Sequence, residues 1–307
     1  MTDSVPPERE KTVQHRHAEA RHDGLVADIA TKVKDFHARQ VPFRIYHGST
    51  NSTRKLEFSR DTIIDTSSLN EILAIDLVKR TALVEPNVRM DALVKGTIAH
   101  SLIPPVVPEL PSITVGGAFA GTAGESSSFK HGFFDATVNW CEIVLGNGEI
   151  VKASPEENAD LFDGSKGAMG TLGVVTLFEI QLERTTGRVK VEYHPVGGSR
   201  DIMERIQEMI VQREEYDFVE GITFSQDQCL VIVGTLKENK DDSVHPRKTF
   251  LRTRDDWFYL HAQKLRRKMT DRSRPFVEMV PIEDYVFRYD RGGFWSAKYA
   301  YPMFYTP

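Results

Sequence analysis

Cysteine is nearly missing from this chain, with Cys141 and Cys229 alone in 307 residues. Two thiols are too few for a disulfide framework or a cysteine zinc site, and no metal is implied. Each lies in an apolar run, NWCEIVL and QCLVIVG, where a thiol packs as a small hydrophobe. Nowhere does the sequence approach the ~18 to 20 consecutive apolar residues of a membrane-spanning helix. The N-terminal MTDSVPPEREKTVQHRHAEARHDG lacks the apolar centre of a secretory signal. The expectation is a soluble intracellular protein, cytoplasmic or peripheral to an internal membrane. An excess of positive charge is also absent. With 39 basic against 44 acidic residues the formal net charge is −5, which excludes the basic field that drives general nucleic-acid binding. Two common nucleotide fingerprints are missing as well, since there is neither a G-x-G-x-x-G turn after a strand nor a G-x-x-x-x-G-K-S/T loop.

What remains is a chain long enough for one large domain or two ordinary ones. Residues 1–24 form a polar segment with no apolar periodicity. From Leu25, apolar Val26, Ile29, Val33 and Phe36 recur at helical spacing and predict a helix to about Ala38. Strands are expected over 43–47, 62–65 and 82–85, and a helix over 90–102. Val138–Leu145 and Glu149–Ala153 flank Gly146-Asn147-Gly148, the strongest short-range hairpin signal in the sequence. A strand over 174–182 closes this region. Beyond about residue 185 the order becomes strand (189–194), helix (200–212), two strands (218–225 and 230–236) and a helix (256–269). Such an order predicts an α+β fold with antiparallel pairs.

The densest chemistry lies in PELPSITVGGAFAGTAGESSSFKHG, residues 108–132, with glycines at 116, 117, 121 and 124 among alanines. Glycine inside an ordinary element costs about 1 kcal/mol relative to alanine. A run of small residues therefore marks either close approach of the backbone to a large flat or anionic ligand, or a tightly packed turn. A second loop, His47-Gly-Ser-Thr-Asn-Ser-Thr-Arg54, follows a strand and offers hydroxyls, an amide and backbone donors suited to a pyrophosphate. Read alone, such a loop is more often a surface turn.

These elements, taken in order, resemble a known family. The polar loop, V-E-P at 84–86, L-P-x-x-T-V-G-G at 110–117, G-T at 121–122, E-S-S-S at 125–128 and G-T-L-G at 170–173 are similar to the FAD-binding domain of the vanillyl-alcohol-oxidase family. TVGGAFAGTAGESSSFKHG, VLGNGEIVKASPEENADLF and PIEDYVFRYDRGGFW resemble its Δ24-sterol reductase branch most. The resemblance implies a PCMH-type FAD-binding domain of two small α/β subdomains at 25–185. A partial substrate (cap) domain with an antiparallel sheet follows at 186–307. Members of the branch are longer, so the cap is expected to be incomplete.

The resemblance further implies that Gly48, Ser49, Thr50, Asn51, Ser52 and Thr53 line the FAD pyrophosphate. Thr114, Val115, Gly116, Gly117, Gly121, Thr122, Gly124, Glu125 and Ser126 would wrap the flavin and diphosphate, with Gly173 and Val174 near the adenine or ribose. FAD would be non-covalent, because His47 precedes Gly48 and stands one position before the histidine that some relatives link to the flavin. His131 reads as a polar neighbour of the same motif. A flavin stores two electrons, which leaves the protein to orient a substrate and manage a proton. Tyr285, Arg288, Tyr289 and Arg291 are the polar groups among aromatics that could do so; the alternative is a surface-facing element with extended arginines. The expected activity is reduction of a C=C bond in a sterol-like or other lipophilic small molecule, with NADPH as donor. Other readings are an alcohol oxidase, a non-redox cyclase, or a non-catalytic flavin-binding protein. The run holding Trp257, Phe258, Tyr259, Lys264, Arg266, Arg267 and Lys268 could touch a membrane surface as a basic amphipathic helix, though a solvated helix is the plainer reading.

Overall fold

The structure is a computed structural model that describes residues 8–48, 59–238, 245–271, 273–293 and 296. In chain order the first half runs α1 (Glu8–Ala38), β1 (Arg44–Tyr46), β2 (Ile63–Asp65), β3 (Ile72–Asp76), β4 (Thr81–Val84), α2 (Met90–Ile98), β5 (Leu102–Ile103), α3 (Val115–Ala120), α4 (Ser128–His131), β6 (Val138–Leu145), β7 (Ile150–Ala153), α5 (Ala159–Ser165) and β8 (Gly173–Gln181). The second half runs β9 (Glu183–Arg184), β10 (Arg188–Val196), α6 (Ser199–Val211), β11 (Phe218–Ser225), β12 (Gln228–Lys237), α7 (Phe258–Lys268), β13 (Phe276–Pro281) and α8 (Ile282–Val286). The α+β class read from the sequence holds. Among the described residues no helix is long and apolar enough to cross a membrane.

The chain divides into two compact units. The first takes residues up to Leu93 with Ser112–Ala123 and Asp135–Leu182; the second takes Val94–Pro111, Gly124–Phe134 and the residues from Glu183.

In the first unit a five-stranded antiparallel sheet runs β3-β4-β8-β6-β7, beside a parallel pair β1-β2. The apolar stripe predicted on α1 packs as expected, placing Val26, Ile29, Ala30, Val33 and Phe36 against Ile64, Leu69, Val144 and Val174. The helix itself begins at Glu8 rather than near Leu25. Its earlier turns carry no apolar stripe, so periodicity could not reveal them, and they are tied down by polar contacts of Arg21 and His22 instead. The Asn-Gly hairpin forms as read, with Val144 opposite Ile150. Gly148 adopts φ +83°, and a Cβ there would lie 2.8 Å from the Ala30 carbonyl of α1. One glycine thus serves both the turn and the docking of the helix.

Gly173 opens β8 against β6 with equally little room. A Cβ there would meet the Ile143 side chain at 2.6 Å and the Val144 carbonyl at 2.7 Å. Gly173→Ala should therefore destabilise the protein by about 1–3 kcal/mol, the usual cost of overpacking. Urea unfolding checks this, and a midpoint equal to the wild type would contradict the strand spacing.

The second unit holds a four-stranded antiparallel sheet, β11-β12-β10-β13, and a short pair β5-β9. Helix α6 packs Ile202 and Met209 onto Val219, Cys229, Val231 and Val233 of β11 and β12. Strand β13 was not anticipated, because FVEMVP carries a glutamate at its centre. That residue, Glu278, is buried and accepts a hydrogen bond from the Tyr193 hydroxyl at 2.7 Å. The run from Trp257 to Lys268 presents less basic surface than its sequence implies. Phe258, Tyr259 and Arg266 are buried, and Arg266 donates to the Cys229, Val196 and Asp227 carbonyls at 3.0, 3.2 and 3.2 Å. Lys264 faces Asp256 at 2.9 Å, while Arg267 and Lys268 are exposed.

Candidate functional site

The V-E-P segment explains how the glycine run is held. Val84 ends β4, and Glu85 turns inward to complete burial, where it accepts from Arg21 Nη2 at 2.6 Å and the Glu71 amide at 2.7 Å. Pro86 then offers its carbonyl to the Gly116 amide at 2.8 Å. Further backbone bonds, Met90 N to Ile113 O and Val115 N to Val88 O, lay 113–116 along 86–90. A Cβ on Gly116 would stand 2.9 Å from the Pro86 Cβ, so only glycine allows this approach. Thr114 caps α3, its hydroxyl accepting from the Gly117 amide at 3.1 Å.

Beside this segment lies a cavity of about 710 Å³, within the range of ligand sites. Of the sequence-predicted residues, Thr114, Gly116, Gly117, Gly173 and Val174 line it. Phe119, Ile143 and Phe178 supply apolar wall, and Arg44 is the one arginine or lysine among the described residues that line it. His47 also lines the cavity, and burial lowers its pKa, which favours a neutral ring there. The 168–172 stretch forms a further wall, with Met169 at φ 53° and Gly170 at φ 75°. That wall was legible only as G-T-L-G, because Ala168 and Met169 carry no ligand chemistry of their own.

Other predicted residues lie elsewhere. Val115 is fully buried in the first unit, and Gly121 caps α3 through its amide to the Gly117 and Phe119 carbonyls. Thr122 follows at φ 45°, an uncommon conformation for a β-branched residue. Gly48, at φ 72°, is the last described residue before the first loop, and Ser49, Thr50, Asn51, Ser52 and Thr53 lie outside the described residues. Gly124, Glu125 and Ser126 belong to the second unit.

In that second unit Tyr285, Arg288 and Tyr289 come together, all buried. A surface-facing element with extended arginines is thereby overturned for these three residues. The Arg288 guanidinium carbon sits 4.2 Å from the Tyr285 ring centre and 4.9 Å from that of Tyr289. Arg288 Nε pairs with Glu220 at 3.1 Å, and the Tyr289 hydroxyl donates to the same carboxylate at 2.8 Å. The Tyr285 hydroxyl is buried, and burial pushes its pKa up. Around this arginine burial pushes the Glu109 carboxyl up to about 7 against the opposing pull of Arg288, and burial also raises Glu125. Arg291 lies apart from this cluster and donates to the Phe250, Asp255 and Thr253 carbonyls. His131 lies 3.4 Å from Glu183 with its pKa lowered, mainly by burial.

Residues 25–154 match the family described as FAD binding domain, so this part of the chain is an FAD-binding domain of the PCMH type. The chain is similar to Delta(24)-sterol reductase of Macaca fascicularis, 32% identical over 238 residues covering 77% of this chain and 44% of that protein. Delta(24)-sterol reductase of Arabidopsis thaliana is 33% identical over 254 residues, with 78% and 44% covered. Cytokinin dehydrogenase 9 of Oryza sativa subsp. japonica is 29% identical over 219 residues, with 65% and 40% covered. The chain spans less than half the length of these curated relatives.

The residues present fit FAD. The cavity combines apolar wall for a flat ring with the Thr66, Thr114 and Thr171 hydroxyls, the Asn87 amide and the Arg44 cation. Gly116, Gly117 and Gly173 keep side chains out of its wall.

Proposed function

We propose that this chain is an FAD-dependent oxidoreductase that reduces a C=C bond in a sterol-like or other lipophilic substrate, with NADPH as electron donor. The observation that supports it best is the convergence on one cavity of Thr114, Gly116 and Gly117, from the matched FAD binding domain, with Gly173 and Val174. In this reading those residues hold FAD non-covalently, the 48–53 loop receives the pyrophosphate, and the segment through Gly121, Thr122, Gly124, Glu125 and Ser126 completes the wrap. Bound FAD supplies two-electron chemistry. The protein's own groups orient it: glycine backbone admits the ring, and Arg44 offsets phosphate charge. Similarity to sterol reductases supports the substrate class and the direction of the reaction. Similarity to a cytokinin dehydrogenase favours, as a second reading, oxidation of a different small molecule on the same scaffold.

The test is an absorbance spectrum of the purified chain, incubated with FAD, before and after acid precipitation. Oxidised-flavin bands that pass into the supernatant are expected. Anaerobic NADPH should then bleach them. Bands that stay with the precipitate would refute non-covalent binding, and a spectrum unmoved by NADPH would refute the donor. Peroxide release with an alcohol or amine substrate would favour the second reading.

A further inference from the structure

Arg288 is almost wholly buried, yet each of its three kinds of nitrogen reaches a different partner. Nε meets Glu220 Oε1 at 3.1 Å, Nη1 meets the Tyr285 carbonyl at 2.7 Å, and Nη2 meets the Ser126 hydroxyl at 3.2 Å. Glu220 already answers the charge, so the bond to Ser126 adds position rather than neutralisation. Ser126 has a single hydroxyl proton, and it goes to Glu125 Oε2 at 2.7 Å. The hydroxyl oxygen can therefore accept from Arg288 while its proton is directed at Glu125. The same turn is fastened twice more, by Val219 N to the Ser126 carbonyl at 2.8 Å and by the Ser127 hydroxyl to the Pro105 carbonyl at 2.6 Å. Residues 125–127 directly continue the glycine run, only three residues after Thr122.

We propose that Arg288 is a positioning residue for the flavin segment: through Ser126 it fixes the turn that ends the Thr114–Ser126 run in the conformation that binds FAD. This rests on the reading of that run as the FAD-wrapping segment. A fork-shaped guanidinium can hold Glu220, a carbonyl and Ser126 together, whereas a lysine ammonium is a point charge that pairs with Glu220 but cannot span all three.

The experiment is FAD titration, followed by quenching of flavin fluorescence, on the full chain and on Arg288→Gln, Arg288→Lys, Ser126→Ala and the Ser126→Ala/Arg288→Gln double variant. Far-UV circular dichroism verifies folding of each apoprotein. Arg288→Gln and Ser126→Ala should each weaken FAD binding at least tenfold, and the double variant should be no weaker than Arg288→Gln alone. Arg288→Lys should keep the melting temperature closer to wild type than Arg288→Gln does, without recovering FAD affinity. Three results would overturn the proposal: unchanged affinity in Ser126→Ala, single effects that multiply in the double variant, or full rescue by lysine. If Arg288→Gln does not fold, Ser126→Ala and Arg288→Lys decide alone. A wild-type chain that binds no FAD refutes the functional reading itself, and the inference with it. That result is distinct from wild-type binding that the variants leave untouched.

Discussion

Replacing Ala120 with tryptophan should weaken FAD binding at least 100-fold, about 2.7 kcal/mol, while leaving the apoprotein folded. Ala120 is the last residue of α3, lines the cavity and is only partly buried, unlike its neighbours Ala118 and Phe119 in the core. A larger side chain at this position can occupy cavity space without entering the packed interior, so the loss falls on the ligand rather than on the fold. An indole also fills apolar volume that the flat part of a flavin would use, which makes the competition direct. Ala120→Ser is the control and should bind within about threefold of wild type, because a hydroxyl adds little volume. Fluorescence titration with FAD measures both. A tryptophan variant that binds as tightly as wild type would show that this cavity does not hold the cofactor, and the roles of Thr114, Gly116 and Gly117 would fall with it.

The legible and illegible parts of the site divide along physical lines. The hairpin, the apolar face of α1 and strands β10, β11 and β12 of the second sheet follow from short-range periodicity and turn chemistry, and each lies within a few residues of its expected place. Glycine density marked the 114–124 run, yet part of that density has a packing cause. Gly116 is required by Pro86, and Gly173 by Ile143 and Val144. Of the alternatives left open by the sequence, tight packing therefore holds at Gly116, and ligand approach there belongs to the proposed function. Contacts between positions far apart in sequence were not legible. Nothing local says that Glu220 would meet Arg288, or that Ser126 would find the same guanidinium 162 residues later. Nor does a polar N-terminal segment announce that it carries the partner of a buried glutamate.

That partner sets the second large expectation, an alkaline loss of stability centred on His22. Its Nδ1 lies 2.8 Å from Glu85 and its Nε2 3.4 Å from Glu142, with the histidine side chain 4% and the Glu85 side chain 0% exposed. Burial alone would lower the imidazole pKa, but hydrogen bonds and charge from Glu142 and Glu85 outweigh it and raise the pKa to about 9. Both ring nitrogens then act as donors, which requires the imidazolium. The folded pKa exceeds the unfolded value of 6.5, so the stabilisation is complete below pH 6.5 and is lost as pH rises through about 9. Its size is on the order of 3 kcal/mol. Glu85 and Glu142 act in the opposite sense: their lowered pKa values stabilise the fold above 4.5 and are lost as pH falls. Thermal melts should therefore peak between about pH 5 and 6.5 and decline towards pH 10. His22→Leu should cost about 3–5 kcal/mol at pH 6, since it leaves a buried carboxylate short of a partner. The gap between variant and wild type should then narrow at pH 10, where the wild-type ring has lost its proton. Melting temperatures of both proteins across this range make the comparison, and a gap that stays constant with pH would mean that His22 is not charged in the folded protein.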